Sequence, residues 1–342
     1  MLRRLIATTA LWLACFQFHA HSQTLNPNAR AQIVCVENSA AISNYQPNSE
    51  VVQTMVDCGL TNFTGKADIN SAWTSLVTTQ DIVGLKVFSE PGLTGTRPAV
   101  VAAVVLGLLH AGVPPQHIII WDKYEKNLRA AGFFKLAAQL GVRVAGGAET
   151  GWDPATFYRP DTAVMGNLIW GDLEFGQTNL GVGRNSFVSK LVSRQITKII
   201  SIAPLLNQPD VGVCGHLYSL TLGSVDNTLR FQGDANRLAT AVPEIYALPI
   251  LGDRVVLNIT DALIGQYEGG AASLLHYSTV LGQLWFSRDP VALDVWSIKE
   301  LDIERRAIGA PALKPNLELY ANANLLQLGV NSLDKIQMKK IR

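Results

Sequence analysis

Asp81–Trp121 reads DIVGLKVFSEPGLTGTRPAVVAAVVLGLLHAGVPPQHIIIW, and the order of its parts decides the fold class. Asp81–Phe88 is a strand-length apolar run whose only charge after Asp81 is Lys86, near its end. The run from Pro98 to Ala111 is apolar on nearly every side and too long for a strand. Helix signals bracket it, with Thr96 placed as N-cap, Pro98 in the first turn and Gly112 as the stop. A helix this apolar belongs between layers. His117–Trp121 is then a second buried strand. Tyr124–Leu140 continues as helix interrupted at Gly132, and Val142–Ala145 is a short strand. This alternation builds parallel strands joined by helical crossovers. The expected class is α/β, a mostly parallel sheet with helices on both faces.

Towards the amino terminus, Gln32–Glu37 reads as a strand. Asn48 or Ser49 caps a helix with Val51, Val52, Met55 and Val56 on one face and Gly59 at its end. A short helix fits Asn70–Val77. Towards the carboxyl terminus, Gly146–Gly183 has no clean period, Phe187–Gln195 reads as helix and Ile196–Ala203 as a buried strand. Pro204–Phe231 (PLLNQPDVGVCGHLYSLTLGSVDNTLRF) is rich in small and polar residues and reads as a long binding loop. Ala235–Leu248 is a helix broken near Pro243, Arg254–Thr260 a strand ending at Asp261, and Gln283–Phe286 a core strand. Asp289 caps a helix over Pro290–Ile308, and the tail adds a short helix and an edge strand. No linker divides the chain. One domain over 23–342, or two packed lobes near 32–145 and 146–342, both fit the length.

The 342 residues are 48% hydrophobic and 16% charged, enough for a sizeable core. A formal charge of +1 gives no electrostatic case for nucleic acid. Met1–Ser22 reads as a cleaved signal peptide: Arg3 and Arg4, an apolar Leu5–Phe18, and Ala20-His21-Ser22 before Gln23. Its apolar core is too short for an integral span. Lipid anchoring at Cys15 is disfavoured by Trp12. The expected location is exported, periplasmic or extracellular. Cys35 and Cys58 either pair there or stay as buried thiols. With no C-x-x-C, no iron–sulfur cluster is expected.

Ligands of open parallel sheets gather beyond the carboxyl ends of the strands. Those ends offer Lys86, Asp122, His216 and Asp261, with Cys214 and Glu268 nearby. Thr94, Thr96 and Arg97, before a helix start, form an anion site on this reading. Capping alone also accounts for that loop. His216, Asp261 and Lys86 are the candidates for chemistry; metal, cofactor and substrate are not named by the residues. The expectation is an exported protein that binds or transforms a small anionic molecule in a cleft at the strand ends. The competing one is a binding or structural envelope protein without catalysis.

Several segments, in order, resemble the family catalogued as domain of unknown function 362. They are DIVGLKVF, TRPAVVAAVVLGLLHAGVPPQHIIIWD, GVCGHLYSLTLGSVDNTLRF, ITDALIGQYEGG, SRDPVALDVWSIKELDIERRAIGAP and YANANLLQLGV. The resemblance implies a family-type α/β domain after the leader, often exported, and names no activity. Some members carry ferredoxin-type cysteine clusters, which this chain lacks. The family's central loop has K-x-H, then G-V-T-G-A-L-K-N, then R-F-H. Here Leu206 and Gln208, then Cys214, His216, Tyr218 and Ser219, then Gln232 stand there. A Lys-x-Asn after the first strand has become Lys86-Val87-Phe88. These departures imply a diverged member that has lost or rerouted the family's chemistry. The TRPAVV segment is also similar to the amino-terminal domain of nickel-pincer lactate racemases, over one short stretch and without their histidine set.

Overall fold

The structure, a computed structural model, describes residues 29–341 apart from 163, 179 and 313; the signal peptide read at 1–22 lies outside the described residues. The strands of four or more residues are β1 (Ala31–Glu37), β2 (Val83–Val87), β3 (Ile118–Asp122), β4 (Arg143–Gly146), β5 (Trp152–Tyr158) and β6 (Ser186–Ser189). They continue with β7 (Lys198–Gln208), β8 (Val255–Gln266), β9 (Ser278–Ser287) and β10 (Ile336–Ile341). The central sheet runs β10-β1-β9-β8-β7-β2-β3-β4. From β8 through β4 every neighbour is parallel, as is β10 beside β1. Among these strands β9 runs against its two neighbours, and the short Gly212–Val213 strand pairs antiparallel with β7. β5 and β6 pair separately, antiparallel. The fold is α/β with a mostly parallel central sheet, as the strand–helix–strand order requires.

Alternate strand residues divide between two cores, the period-2 rule at work. Leu85, Ile118 and Ile120 face α1 (Ser49–Thr64), α2 (Pro98–His110) and α3 (Phe133–Leu140). Ile119, Trp121 and Ile199 face the other way. There they meet α4 (His216–Ser224), α5 (Ala235–Tyr246) and α7 (Glu318–Leu325). α6 (Pro290–Ala307) extends that second layer over Ile33, Cys35 and Trp285. None of the described helices is long and apolar enough to cross a membrane.

Local chemistry explains most boundaries. Asn48 caps α1 by accepting from the Glu50 and Val51 N–H groups, and Asp289 caps α6 through Ala292. α1 does not stop at Gly59 but runs to Thr64, with Gly65 left-handed after it. Gly59 is there for contact. A β-carbon on it would fall 2.1 Å from the Phe286 ring. Thr96 is not a cap either: Arg97 occupies that position without a side-chain hydrogen bond. The Thr96 hydroxyl accepts from Phe88 N–H and donates to the Ile202 carbonyl, tying the end of β2 to the middle of β7.

Phe187–Gln195 is a strand followed by one π-turn, because Phe187 and Ser186 find cross-strand partners in Phe157 and Tyr158. Pro243 does not break α5. It removes an N–H from the Ala239 carbonyl, which accepts instead from Asn322 Nδ2 of α7 at 2.9 Å. The three described cysteines are free thiols, so Cys35 and Cys58 are not bridged. Burial pushes Cys35 up to about 12.

The largest correction concerns Pro204–Phe231. It is no open loop: its start completes β7, and its centre is the helix α4, buried along nearly its whole length. The small residues serve close packing. A β-carbon on Gly215 would sit 2.3 Å from an Asp294 oxygen, and one on Gly223 would sit 2.3 Å from Lys86 Cε.

Candidate functional site

The chain leaves β2 for β3 on one side and β7 for β8 on the other, so the connections reverse direction between adjacent strands β2 and β7. In open parallel sheets a crevice forms outside the carboxyl ends at such a point. A cleft of about 390 Å³ lies there. Phe88 and Glu90 follow β2 into it, Asp122, Lys123 and Tyr124 follow β3, and Asn207 and Gln208 end β7. α4 covers one side with Tyr218, Ser219 and Gly223.

The floor is an ion pair. Lys86 Nζ lies 2.9 Å from Asp122 Oδ1 and also donates to the Val87 carbonyl and to Ser219 Oγ. An ammonium has three N–H bonds, and all three are taken. Asp122 Oδ2 accepts from both the N–H and the hydroxyl of Ser89, and Oδ1 from Lys123 N–H. The absence of a side chain at Gly223 lets α4 close on this pair. Lys86 is therefore a buried strut under the cleft.

Arg97 and Asp261 meet each other instead of an anion. Asp261 Oδ1 accepts from Arg97 Nη1 and Oδ2 from Arg97 N–H, both at 2.9 Å. The remaining guanidinium bonds go to the Leu93 and Ile264 carbonyls. Both side chains are buried. Thr94 donates to the Ala271 carbonyl. The loop that reads as an anion site is thus a cross-sheet fastener, holding the start of α2 to β8.

His216 is fully buried at the start of α4. Its Nδ1 lies 2.8 Å from Ser201 Oγ and its Nε2 3.0 Å from Thr260 Oγ1. Burial pulls its pKa down to about 3, so the ring is neutral. Asp294 caps α4 from α6, accepting from His216 and Leu217 N–H groups at 2.7 and 3.0 Å. Burial drives that carboxyl up to about 7, against the pull of those two bonds. Glu268 pairs with Arg305, outside the cleft. Of the sequence candidates only Asp122 and Cys214 line the cleft, and burial pushes the Cys214 thiol up to about 12.

The residue that sequence reading passed over is Lys123, next to Asp122. It lines the cleft half-buried, and its ammonium donates to the Thr228 hydroxyl at 3.1 Å, which donates on to Gln232 Oε1. Burial lowers its pKa to about 8; the carboxylates of Asp172, Asp226 and Asp122 oppose that shift. Those carboxylates serve the backbone. Asp172 accepts from Ile169 and Asn227 N–H groups, Asp226 from Leu173 and Phe187. The signal was available: Lys123 is the first residue past the end of a parallel strand. Among the described residues no cluster of three or more His, Cys, Asp or Glu side chains is arranged to hold a metal.

No family model and no curated protein matches the sequence. The chain is similar to a solved structure of a protein from Thermotoga maritima, determined by the Northeast Structural Genomics Consortium. Identity is 9% and the TM-score 0.40, over 79% of this chain and 60% of the other. This chain therefore spans less than two thirds of that protein's length, and its own sheet and helices define its fold.

Proposed function

We propose that the protein is an exported binding protein that holds a small anionic molecule in the cleft between the ends of β2 and β7. The observation that carries this reading is Lys123, a cationic side chain lining the cleft and hydrogen-bonded to a neutral hydroxyl. Gln208, Gln232 and Tyr218 line the same cleft and add amide and hydroxyl groups that orient a polar ligand. Binding is favoured over catalysis by the state of the other candidates. His216, Asp261 and Lys86 are buried and partnered, and Cys214 is held as a thiol.

The resemblance to the domain of unknown function 362 family supports the same reading. Gln208, Cys214, Tyr218, Ser219 and Gln232, positions at which this chain departs from that family's pattern, all line the cleft. A diverged copy that exchanged reactive groups for amides and a phenol keeps a cavity while losing chemistry.

Calorimetric titration with acetate, butanoate and phosphate tests the reading. At least one is expected to bind, and Lys123→Met is expected to weaken it at least tenfold, as loss of a charge-assisted hydrogen bond does. Unchanged affinity in a folded Lys123→Met protein would sink the assignment. The export expectation has its own check. Protein recovered from the cell envelope should begin at Gln23; a chain retaining Met1 in the cytoplasm contradicts it.

A further inference from the structure

The mouth of the cleft is apolar where its floor is charged. Ile169 and Leu229 both line it and both are exposed, Leu229 at 51%. They come from two segments fastened together: Gly166 lies so close to Arg230 that a β-carbon would fall 2.3 Å from the Arg230 side chain. Asp172 then holds the Ile169 and Asn227 N–H groups, which fixes this rim from both sides. Beyond Ile169 the patch continues into Trp170, 87% exposed, whose ring meets Phe175 edge-on at 5.5 Å. Leu180 and Met165, in the same segment, are exposed as well.

Single exposed apolar side chains need no explanation, but a clustered group at the mouth of a polar cleft marks a place where something apolar is covered. The rim is continuous with a cleft containing an ammonium. The cleft also carries the Glu90 and Asp122 carboxylates, so an acidic end has one group to meet, the Lys123 ammonium, and an apolar end has the rim to cover.

We infer that the ligand is a free amphipathic anion, a carboxylate on an alkyl chain or aryl group, with its head at Lys123 and its apolar body against Ile169 and Leu229. This rests on the binding function proposed above. The cleft, about 390 Å³, lies at the small end of ligand sites, which favours a single short chain over a diacyl lipid.

Titration with a chain-length series tests it on the unaltered protein. Affinity is expected to rise roughly threefold per methylene, about a hundredfold from butanoate to octanoate, as apolar burial dictates. In the double variant Ile169→Ser, Leu229→Ser, the hundredfold advantage of octanoate over butanoate should shrink at least tenfold. Both residues are exposed, so the fold should tolerate the change. If butanoate binds through Lys123 and octanoate binds no better, the apolar end is wrong and the anion-binding reading stands. If neither binds, this inference falls; if acetate and phosphate fail as well, the anion-binding reading falls with it. Octanamide binding as tightly as octanoate would overturn the acidic end. Binding to neutral phosphatidylcholine vesicles with no affinity for free octanoate would overturn the inference in favour of a bilayer surface.

Discussion

Asp261→Ala is expected to cost about 3–5 kcal/mol, the range for removing one partner of a buried ion pair. The carboxylate is fully buried and accepts three hydrogen bonds, two from Arg97 and one from Leu263 N–H. Removing it leaves the Arg97 guanidinium buried with only the Leu93 and Ile264 carbonyls as acceptors. It also frees the Arg97 N–H at the start of α2. Against a typical total stability of about 5–15 kcal/mol this is a large fraction. The melting temperature should fall by about 10 °C. The double variant Arg97→Leu, Asp261→Leu should recover most of the loss, because no charge is then stranded. Urea unfolding of the two single variants and the double supplies the cycle. A catalytic or anion-binding role for this pair forecasts the reverse, intact stability with lost function. A loss under about 1 kcal/mol for Asp261→Ala would mean that the fastener is dispensable.

Two neighbouring groups at the start of α4 should pull stability in opposite directions with pH. His216 titrates near 3 in the folded chain because burial disfavours its charge, against an ordinary value of 6.5. Between those values the unfolded chain holds the extra proton, so this group's contribution is present above about 6.5 and lost as pH falls towards 3. Asp294 is raised by burial from 3.8 to about 7. There the folded chain holds the extra proton, so stability falls as pH rises from about 4 to about 7. The two slopes overlap and offset. His216→Gln removes one of them while leaving a polar group between Ser201 and Thr260. The variant's stability, measured by urea unfolding at pH 4.5, 5.5 and 6.5, should therefore fall with pH more steeply than that of the native protein. The difference in slope is on the order of 1 kcal/mol per pH unit. Parallel curves would show that His216 exchanges protons freely in the folded state, and would return it to the list of reactive candidates.

Much of the fold was legible because its determinants are local. Short unbroken apolar runs such as Ile118–Trp121 and the longer apolar Pro98–Ala111 announce a buried strand and a layer helix. Asn48 and Asp289 cap helices with groups two or three residues away. The site was much less legible. Lys86 stands at a strand end, Arg97 and His216 at helix starts, and Asp261, expected at a strand end, in the middle of β8, yet each is consumed by a partner distant in sequence. Arg97 and Asp261 are 164 positions apart, and Lys86 and Ser219 133. A polar residue at a strand end looks the same on the page whether it awaits a ligand or a distant carboxylate.

α4 shows the same division. Its glycines and hydroxyls look like loop chemistry in sequence, but Gly215 and Gly223 admit Asp294 and Lys86 against the backbone of a buried helix. By itself the sequence determined the layer architecture, the parallel strands and the caps at Asn48 and Asp289, because hydrophobic period and capping act over a few residues. Only the tertiary structure decided which polar groups remain open, because burial and pairing depend on what the rest of the chain brings to their side. It spent Arg97, Asp261, Lys86 and His216 on the frame and left Lys123 in the cleft.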